Sequence, residues 1–143
     1  MRLVIDSNIL LTAIGRKSKN RWLLDKLLNG DFTLIVSNEI LTEYSEIISQ
    51  KTTSSIAENI TRALLELPLT ETITIYYKWD LIKIDRDDNK FADCAFTGNA
   101  DYLITHDKHF DVLKTLEFPV INVLTVDELK NLIDKVSGDD LPF

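Results

Sequence analysis

Short apolar runs of strand length alternate with longer amphipathic stretches along this chain, and this alternation constrains its fold most. The first run, Leu3 to Ile5, is apolar throughout and contains β-branched residues, which is typical of a strand buried on both faces. Similar runs recur at residues 32–36, 102–105 and 119–124. Because helical stretches separate the runs, the pattern predicts a three-layer α/β/α sandwich around a mainly parallel sheet.

Hydrophobic periodicity places the helices between these runs. It predicts helices at residues 9–14, 22–28, 38–48 and 52–67, a further helix from near 88 to 97, and a last helix that ends at about 136. Thr125 and Glu128 have the spacing of a capping box at the start of that last helix. Residues 71–77 are rich in β-branched and aromatic side chains. The sequence leaves open whether they form a strand, an extended lead-in or the end of a helical hairpin.

Length and composition indicate one soluble globular domain. We predict that it spans residues 1–136 of the 143 and is followed by an acidic tail at 137–143. No apolar run approaches the roughly 18–20 residues of a membrane span. The single cysteine, Cys94, excludes an internal disulfide, and together with the lack of a signal-peptide pattern it predicts a cytoplasmic protein.

Acidic residues follow the predicted strands at the points where ligands bind in parallel sheets. Asp6 and Asp107 come directly after strands, and Asp88 begins a predicted helix. Glu43 lies at the edge of the buried stripe of its helix and can join them. Three alternatives remain open: Asp6 as a helix cap only, Glu39 in place of Glu43, and Asp85 or Asp87 in place of Asp88.

Carboxylates that converge in this way repel one another unless a cation lies between them. Hard oxygen ligands favour Mg²⁺ or Mn²⁺, and the sequence has no Cys/His set for zinc and no Gly-rich phosphate loop. The net charge of −7 argues against strong nonspecific binding of nucleic acid, although a cluster of metal-binding carboxylates would itself add negative charge.

Four segments in order, LVIDSNIL, SNEILTEY, DRDDNKFADCA and ADYLITHDKHF, resemble those of PIN domains, and in particular the VapC-like toxins of toxin–antitoxin systems. The resemblance extends to about Val136. It implies a PIN-like fold and a metal-dependent ribonuclease, with Mg²⁺ or Mn²⁺ as cofactor. It also implies an RNA substrate, a small antitoxin that blocks the crevice, and a homodimer.

The resemblance implies roles for individual residues as well. The catalytic and metal-binding acids would be Asp6, Glu43, Asp88 and Asp107, with Asp93 as a fifth, outer ligand. Asn8 would brace Asp6 or the substrate, and Thr105 would hydrogen-bond into the acid cluster. The basic loop that contains Arg16, Lys17 and Lys19 would contact RNA phosphates, although a solvated loop explains the same residues.

Two other functions remain compatible with acids at strand ends. One is a phosphoryl-transfer domain with an aspartyl-phosphate intermediate, but Asp6-Ser7-Asn8 lacks the second acid of an Asp-x-Asp phosphatase motif. The other is a PIN-like binding protein without catalytic activity, for which removal of the acids would leave the biological effect unchanged.

Overall fold

A computed structural model describes residues 1–139 of the chain, with the side chains of residues 1–136. Its central sheet has five parallel strands in the order β3-β2-β1-β4-β5. The strands are β1 (Arg2–Ile5), β2 (Thr33–Val36), β3 (Thr70–Thr72), β4 (Tyr102–Ile104) and β5 (Val123–Leu124). The predicted α/β/α class with a parallel sheet is therefore confirmed.

Six α-helices connect and cover these strands within the described residues. They are α1 (Ser7–Ile14), α2 (Arg21–Leu28), α3 (Asn38–Lys51), α4 (Ser54–Leu65), α5 (Asn89–Thr97) and α6 (Val126–Asp139). Short 3-10 segments lie at Arg86–Asp88 and Lys108–Thr115. None of the helices in the described part of the chain is both long enough and apolar enough to cross a membrane.

The prediction of a strand over residues 119–124 is wrong in its extent, because only Val123 and Leu124 pair with β4. Pro119 has no N–H group for a ladder. Residues 71–77 add only the short strand β3, which ends at Thr72. The last helix, α6, extends to Asp139 rather than ending at about 136, so residues 137–139 of the predicted acidic tail are helical. Residues 140–143 lie outside the described residues, and the acidic tail stays a prediction for them.

Helix starts follow their capping residues. Thr53 caps α4 by accepting a hydrogen bond from the Ile56 N–H at 3.1 Å, so this helix begins at Ser54 rather than at 52. The capping box of α6 is confirmed, since the N–H groups of Thr125 and Glu128 each donate to the other residue's side chain at 3.1 Å.

The core forms around β1, which lies between β2 and β4. Leu3, Val4 and Ile5 are completely buried, as are Leu34, Leu103 and Ile104, which pair with them on the neighbouring strands. Ile5 is in register with Ile104, and the Asp6 N–H donates to the Ile104 carbonyl at 3.0 Å. This register brings Asp6 and Thr105 side by side at the carboxyl edge of the sheet.

Candidate functional site

Asp6 is a buried acid whose partner is a neutral hydroxyl. Its side chain is 6% exposed, and its Oδ2 accepts a hydrogen bond of 2.8 Å from the Thr105 hydroxyl. Burial raises the pKa of Asp6, the Thr105 hydrogen bond opposes this shift, and the charges of Glu43 and Asp107 add to it. Although Asp6 occupies the N-cap position of α1, its side chain makes no capping hydrogen bond. The Asn8 backbone N–H nevertheless acts to lower the pKa of Asp6, so a weak capping interaction accompanies the Thr105 hydrogen bond.

Glu43 reaches the same edge of the sheet from α3. Ser37 caps this helix by accepting the Ile40 N–H, and the buried Tyr44 hydroxyl donates to the Ile5 carbonyl, which fixes α3 on the end of β1. Glu43 then accepts a hydrogen bond from the Ser7 hydroxyl at one oxygen and lies 3.0 Å from the Lys90 ammonium at the other. Glu39, which the sequence left open in place of Glu43, is exposed, and its carboxylate lies 3.8 Å from the Lys78 ammonium.

Asp88 is held by the turn that precedes α5. The buried Asn89 side chain accepts the Ile82 N–H at 2.8 Å and donates to the Ile82 carbonyl at 2.9 Å and the Arg86 carbonyl at 3.2 Å. These bonds fix the acidic segment 85–88. Burial raises the pKa of Asp88 to about 6; a hydrogen bond with His109 opposes this shift, and nearby carboxylates add to it.

Asp107 follows β4 and is linked to Asp6 through Thr105. The Thr105 hydroxyl donates to Asp6 and accepts the Asp107 N–H at 3.0 Å. The Asp107 carboxylate accepts the His109 N–H at 2.8 Å and lies 3.4 Å from the His109 ring. Because Asp6 and Asp107 also contribute to the raised pKa of Asp88, these acids form one electrostatic group with Glu43, which we call the acid cluster (Asp6, Glu43, Asp88 and Asp107).

The donor atoms of the acid cluster suit a divalent cation. They are carboxylate oxygens, which Mg²⁺ and Mn²⁺ prefer. Burial first, and neighbouring carboxylates second, raise the pKa values of Asp6 and Asp88, and a bound cation would offset both effects. Within the described residues, one set of three donors lies within 4.8 Å of one another: Asp85, Asp88 and His109. Of this set only Asp88 belongs to the acid cluster, and Asp85, which the sequence left open as an alternative to Asp88, lies beside it.

Asp93 lies apart from the acid cluster. Its carboxylate is buried and accepts the Trp79 N–H at 3.1 Å, in a cavity of about 230 Å³ that Glu39 and Asp80 also line. Burial raises the pKa of Asp93, while the Trp79 N–H and Lys78 oppose this shift. The role of Asp93 as an outer ligand stays a prediction.

The residues assigned to substrate binding are divided between two places. Thr105 lies inside the acid cluster and is 2% exposed. Asn8 has an exposed side chain, and its backbone N–H favours the ionised form of Asp6. Arg16, Lys17 and Lys19 are exposed in the loop between α1 and α2, and contact with RNA stays a prediction for them.

Two members of the site were missed by the sequence reasoning. Lys90 is 15% exposed and lies 3.0 Å from both Glu43 and Asp87. Burial acts to lower the pKa of Lys90, but these carboxylates outweigh it and the pKa is raised, so the group is cationic at neutral pH. His109 lies 3.2 Å from Asp88. Lys90 was part of the DRDDNKFADCA segment, but nothing in the sequence showed that it meets a helix 47 residues earlier.

The family model described as "PIN domain" matches residues 2–109. This is most of the chain, and the protein therefore belongs to the PIN domain family. No curated protein matches it in sequence.

Solved structures share its fold at low sequence identity. One is a chain of VapBC2 from Rickettsia felis bound to a DNA fragment from their promoter, with a TM-score of 0.61 and 20% identity over 87% of this chain and 98% of that chain. Another is a chain of FitAB bound to an IR36 DNA fragment, with a TM-score of 0.58 and 14% identity over 87% of this chain and 94% of that chain.

Proposed function

We propose that the protein is a Mg²⁺- or Mn²⁺-dependent endoribonuclease and the toxin of a toxin–antitoxin pair. The observation that carries the proposal is the acid cluster, which a PIN-family chain assembles at the carboxyl edge of its parallel sheet. Four carboxylates from four separate parts of the chain converge there, and two of them have raised pKa values. Converging carboxylates oppose folding when no cation lies between them, and groups with perturbed pKa values cluster at functional sites.

The side chains would divide the work of phosphodiester hydrolysis among them. Asp6, Glu43, Asp88 and Asp107 would hold the ion, directly or through water. A bound divalent ion supplies Lewis-acid stabilisation of the phosphorane charge and lowers the pKa of a water ligand. Asp88 or Asp107 would accept the proton of the attacking water. Thr105 would keep Asp6 and Asp107 in a fixed relative position.

RNA would reach the acid cluster as a single strand. The acids lie at the surface edge of the sheet, and a splayed single strand brings its phosphates to such an edge more easily than a duplex does. Arg16, Lys17 and Lys19 would contact phosphates on one side of the scissile bond. Because the net charge is −7, these contacts and the bound ion would supply most of the attraction.

The test is cleavage of a mixed pool of single-stranded RNA. We expect wild type to cleave it with Mg²⁺ or Mn²⁺ and not with EDTA, and we expect Asp6→Asn/Asp107→Asn to lose at least about 100-fold of the rate. Asp111→Asn is the matched control, since Asp111 is an exposed acid paired with Lys114. Cleavage that persists in the double variant would contradict the proposed site, and no cleavage of any RNA would favour a non-catalytic PIN protein.

An antitoxin partner is supported by the two structural neighbours, which are described as VapBC2 and FitAB complexes with DNA. Production of wild type in a bacterial host should arrest growth, and Asp6→Asn/Asp107→Asn should not. We also propose a homodimer, which light scattering of the purified chain would test. Growth arrest by both forms would show that toxicity does not depend on the acid cluster.

A further inference from the structure

The segment of residues 73–85, which follows β3, forms neither a helix nor a strand and carries exposed aromatic rings. Tyr76 is 91% exposed and Tyr77 is 64% exposed. The Tyr77 ring lies edge-on to the Trp79 ring, with centroids 4.9 Å apart. The ring of Phe118, a residue that is 68% exposed, lies 5.6 Å from that of Trp79. We call these four residues the aromatic surface (Tyr76, Tyr77, Trp79 and Phe118).

The aromatic surface is anchored on α5 by Trp79. The Trp79 N–H donates to the buried Asp93 carboxylate at 3.1 Å, and its ring packs edge-on against Phe96, with centroids 5.2 Å apart. Trp79 therefore fixes the ring of Tyr77 before any ligand binds. Tyr76 buries too little area to contribute to folding, and exposed apolar groups that are collected in one place mark binding surfaces.

Basic side chains are interleaved with these rings. Residues 76–86 contain three basic residues and two acidic ones, in a chain whose net charge is −7. The three basic side chains, Lys78, Lys83 and Arg86, are exposed. Lys78 lies 3.8 Å from Glu39, and because both side chains are more than half exposed, this ion pair is weak and leaves the ammonium available. Single-stranded nucleic acids bind to such a combination, because bases stack on aromatic rings while cations hold the phosphates.

A cavity of about 230 Å³ lies between the aromatic surface and the acid cluster. Lys78, next to Tyr77, lines it, as do Arg86 and Lys90, and the Lys90 ammonium lies 3.0 Å from Glu43 of the acid cluster. Carboxylates line the cavity as well, so it offers both donors and acceptors, which suits the hydrogen-bonding edge of a base. A strand on the aromatic surface thus has a continuous path to the acid cluster.

We propose that Tyr76 and Tyr77 stack the bases of single-stranded RNA, and that Lys78 and Arg86 hold its phosphates on the way to the acid cluster. Every base has a face that can stack, so these tyrosines add affinity with little preference for sequence. The inference rests on the proposed function in one respect, since it takes single-stranded RNA to be the ligand.

The experiment is the binding of a short, fluorescently labelled single-stranded RNA to the full chain, measured by anisotropy. Every form carries Asp6→Asn/Asp107→Asn, and EDTA is present, so that no strand is cut. Addition of Tyr76→Ala/Tyr77→Ala to this parent form should raise the Kd at least about fivefold, the lower limit for the loss of one stacked base. Tyr76→Phe/Tyr77→Phe keeps both rings and should restore the affinity. Leu65→Ala is the matched control, because Leu65 is a half-exposed apolar residue on α4, and it should leave the Kd unchanged.

Two further measurements separate stacking from charge. The parent form should bind an abasic strand of the same length at least about fivefold more weakly than the strand with bases, and Tyr76→Ala/Tyr77→Ala should bind the two strands alike. Lys78→Gln should reduce the slope of log Kd against log salt by about 0.7, since one phosphate contact is lost, while the preference for the strand with bases remains.

An unchanged Kd in Tyr76→Ala/Tyr77→Ala, or equal binding of the two strands by the parent form, would overturn the inference and leave the aromatic surface to a protein partner. Failure of every form to bind RNA would overturn it as well. Because cleavage is not measured, the two proposals can fail separately. RNA that binds through the tyrosines but is not cut by wild type contradicts the nuclease alone, whereas RNA that is cut by wild type but binds independently of the tyrosines contradicts this inference alone.

Discussion

Replacement of Asp88 by asparagine should stabilise the metal-free protein at neutral pH. The pKa of Asp88 is about 6 in the folded chain against an ordinary value of 3.8, so ionisation of this carboxyl at pH 7 opposes folding. A difference of about two pKa units corresponds to roughly 3 kcal/mol. The Asp88 side chain is 16% exposed, and screening by solvent reduces this figure by about half.

One further effect reduces the gain in stability expected for Asp88→Asn. Asp88 precedes α5, where a negative charge interacts favourably with the helix dipole by about 0.5 kcal/mol. Its side chain makes no capping hydrogen bond, so no cap is lost. The expected gain for Asp88→Asn is about 1 kcal/mol, or about 3 °C in melting temperature for a domain of this size.

The pH dependence follows from the direction of the shift. A carboxyl with a raised pKa in the folded state contributes stability below its unfolded pKa, and this contribution is lost as the pH rises through about 6. The gain from Asp88→Asn should therefore be near zero at pH 4 and complete by pH 7.5. Thermal melts monitored by circular dichroism in EDTA across this range measure it.

Asp87→Asn is the matched control, one residue away and with the opposite expected sign. Its pairing with Lys90 lowers the pKa of Asp87, but the side chain is 71% exposed, so the variant should lose at most a few tenths of a kcal/mol at pH 7. A loss of stability in Asp88→Asn at pH 7, or a gain that persists unchanged at pH 4, would refute the reasoning.

Three further substitutions or reactions test the packing around the site. Thr105→Val should cost about 1–3 kcal/mol in urea denaturation, because Asp6 and the Asp107 N–H both lose their partner; an unchanged midpoint would contradict this. Gly98→Ala should cost about 1–3 kcal/mol by the same assay, since a Cβ would lie 2.7 Å from Ile35 Cγ2; wild-type stability would show that the contact relaxes freely. The Cys94 thiol, whose pKa burial raises to about 12, should react with a disulfide reagent only after unfolding, and rapid reaction in the native protein would contradict its burial.

The strands nearest the centre of the sheet were predictable because both of their faces are buried. The apolar runs that contain Leu3, Leu34 and Leu103 became β1, β2 and β4, since such a run has no polar face to place in solvent. At the two edges of the sheet, apolar runs do not predict the extent of the strands. β3 and β5 are short, and their extent depends on how far a neighbouring strand offers hydrogen bonds.

The acids were predictable for the same reason that the central strands were. An acid directly after a buried parallel strand must lie at the carboxyl edge of the sheet, which gave Asp6 and Asp107. The partners of these acids were not predictable. Lys90 and Glu43 are 47 residues apart, and Asp88 and His109 are 21 apart. No sequence periodicity encodes such pairs, because they depend on how α3, α5 and the end of β4 pack together.

The most direct measurement of the central claim is the anomalous diffraction of crystals soaked in Mn²⁺. The account predicts a peak at the acid cluster, among the carboxylates of Asp6, Glu43, Asp88 and Asp107. The absence of a peak there, or a peak only in the cavity beside Asp93, would contradict the assignment of the acid cluster as the metal site.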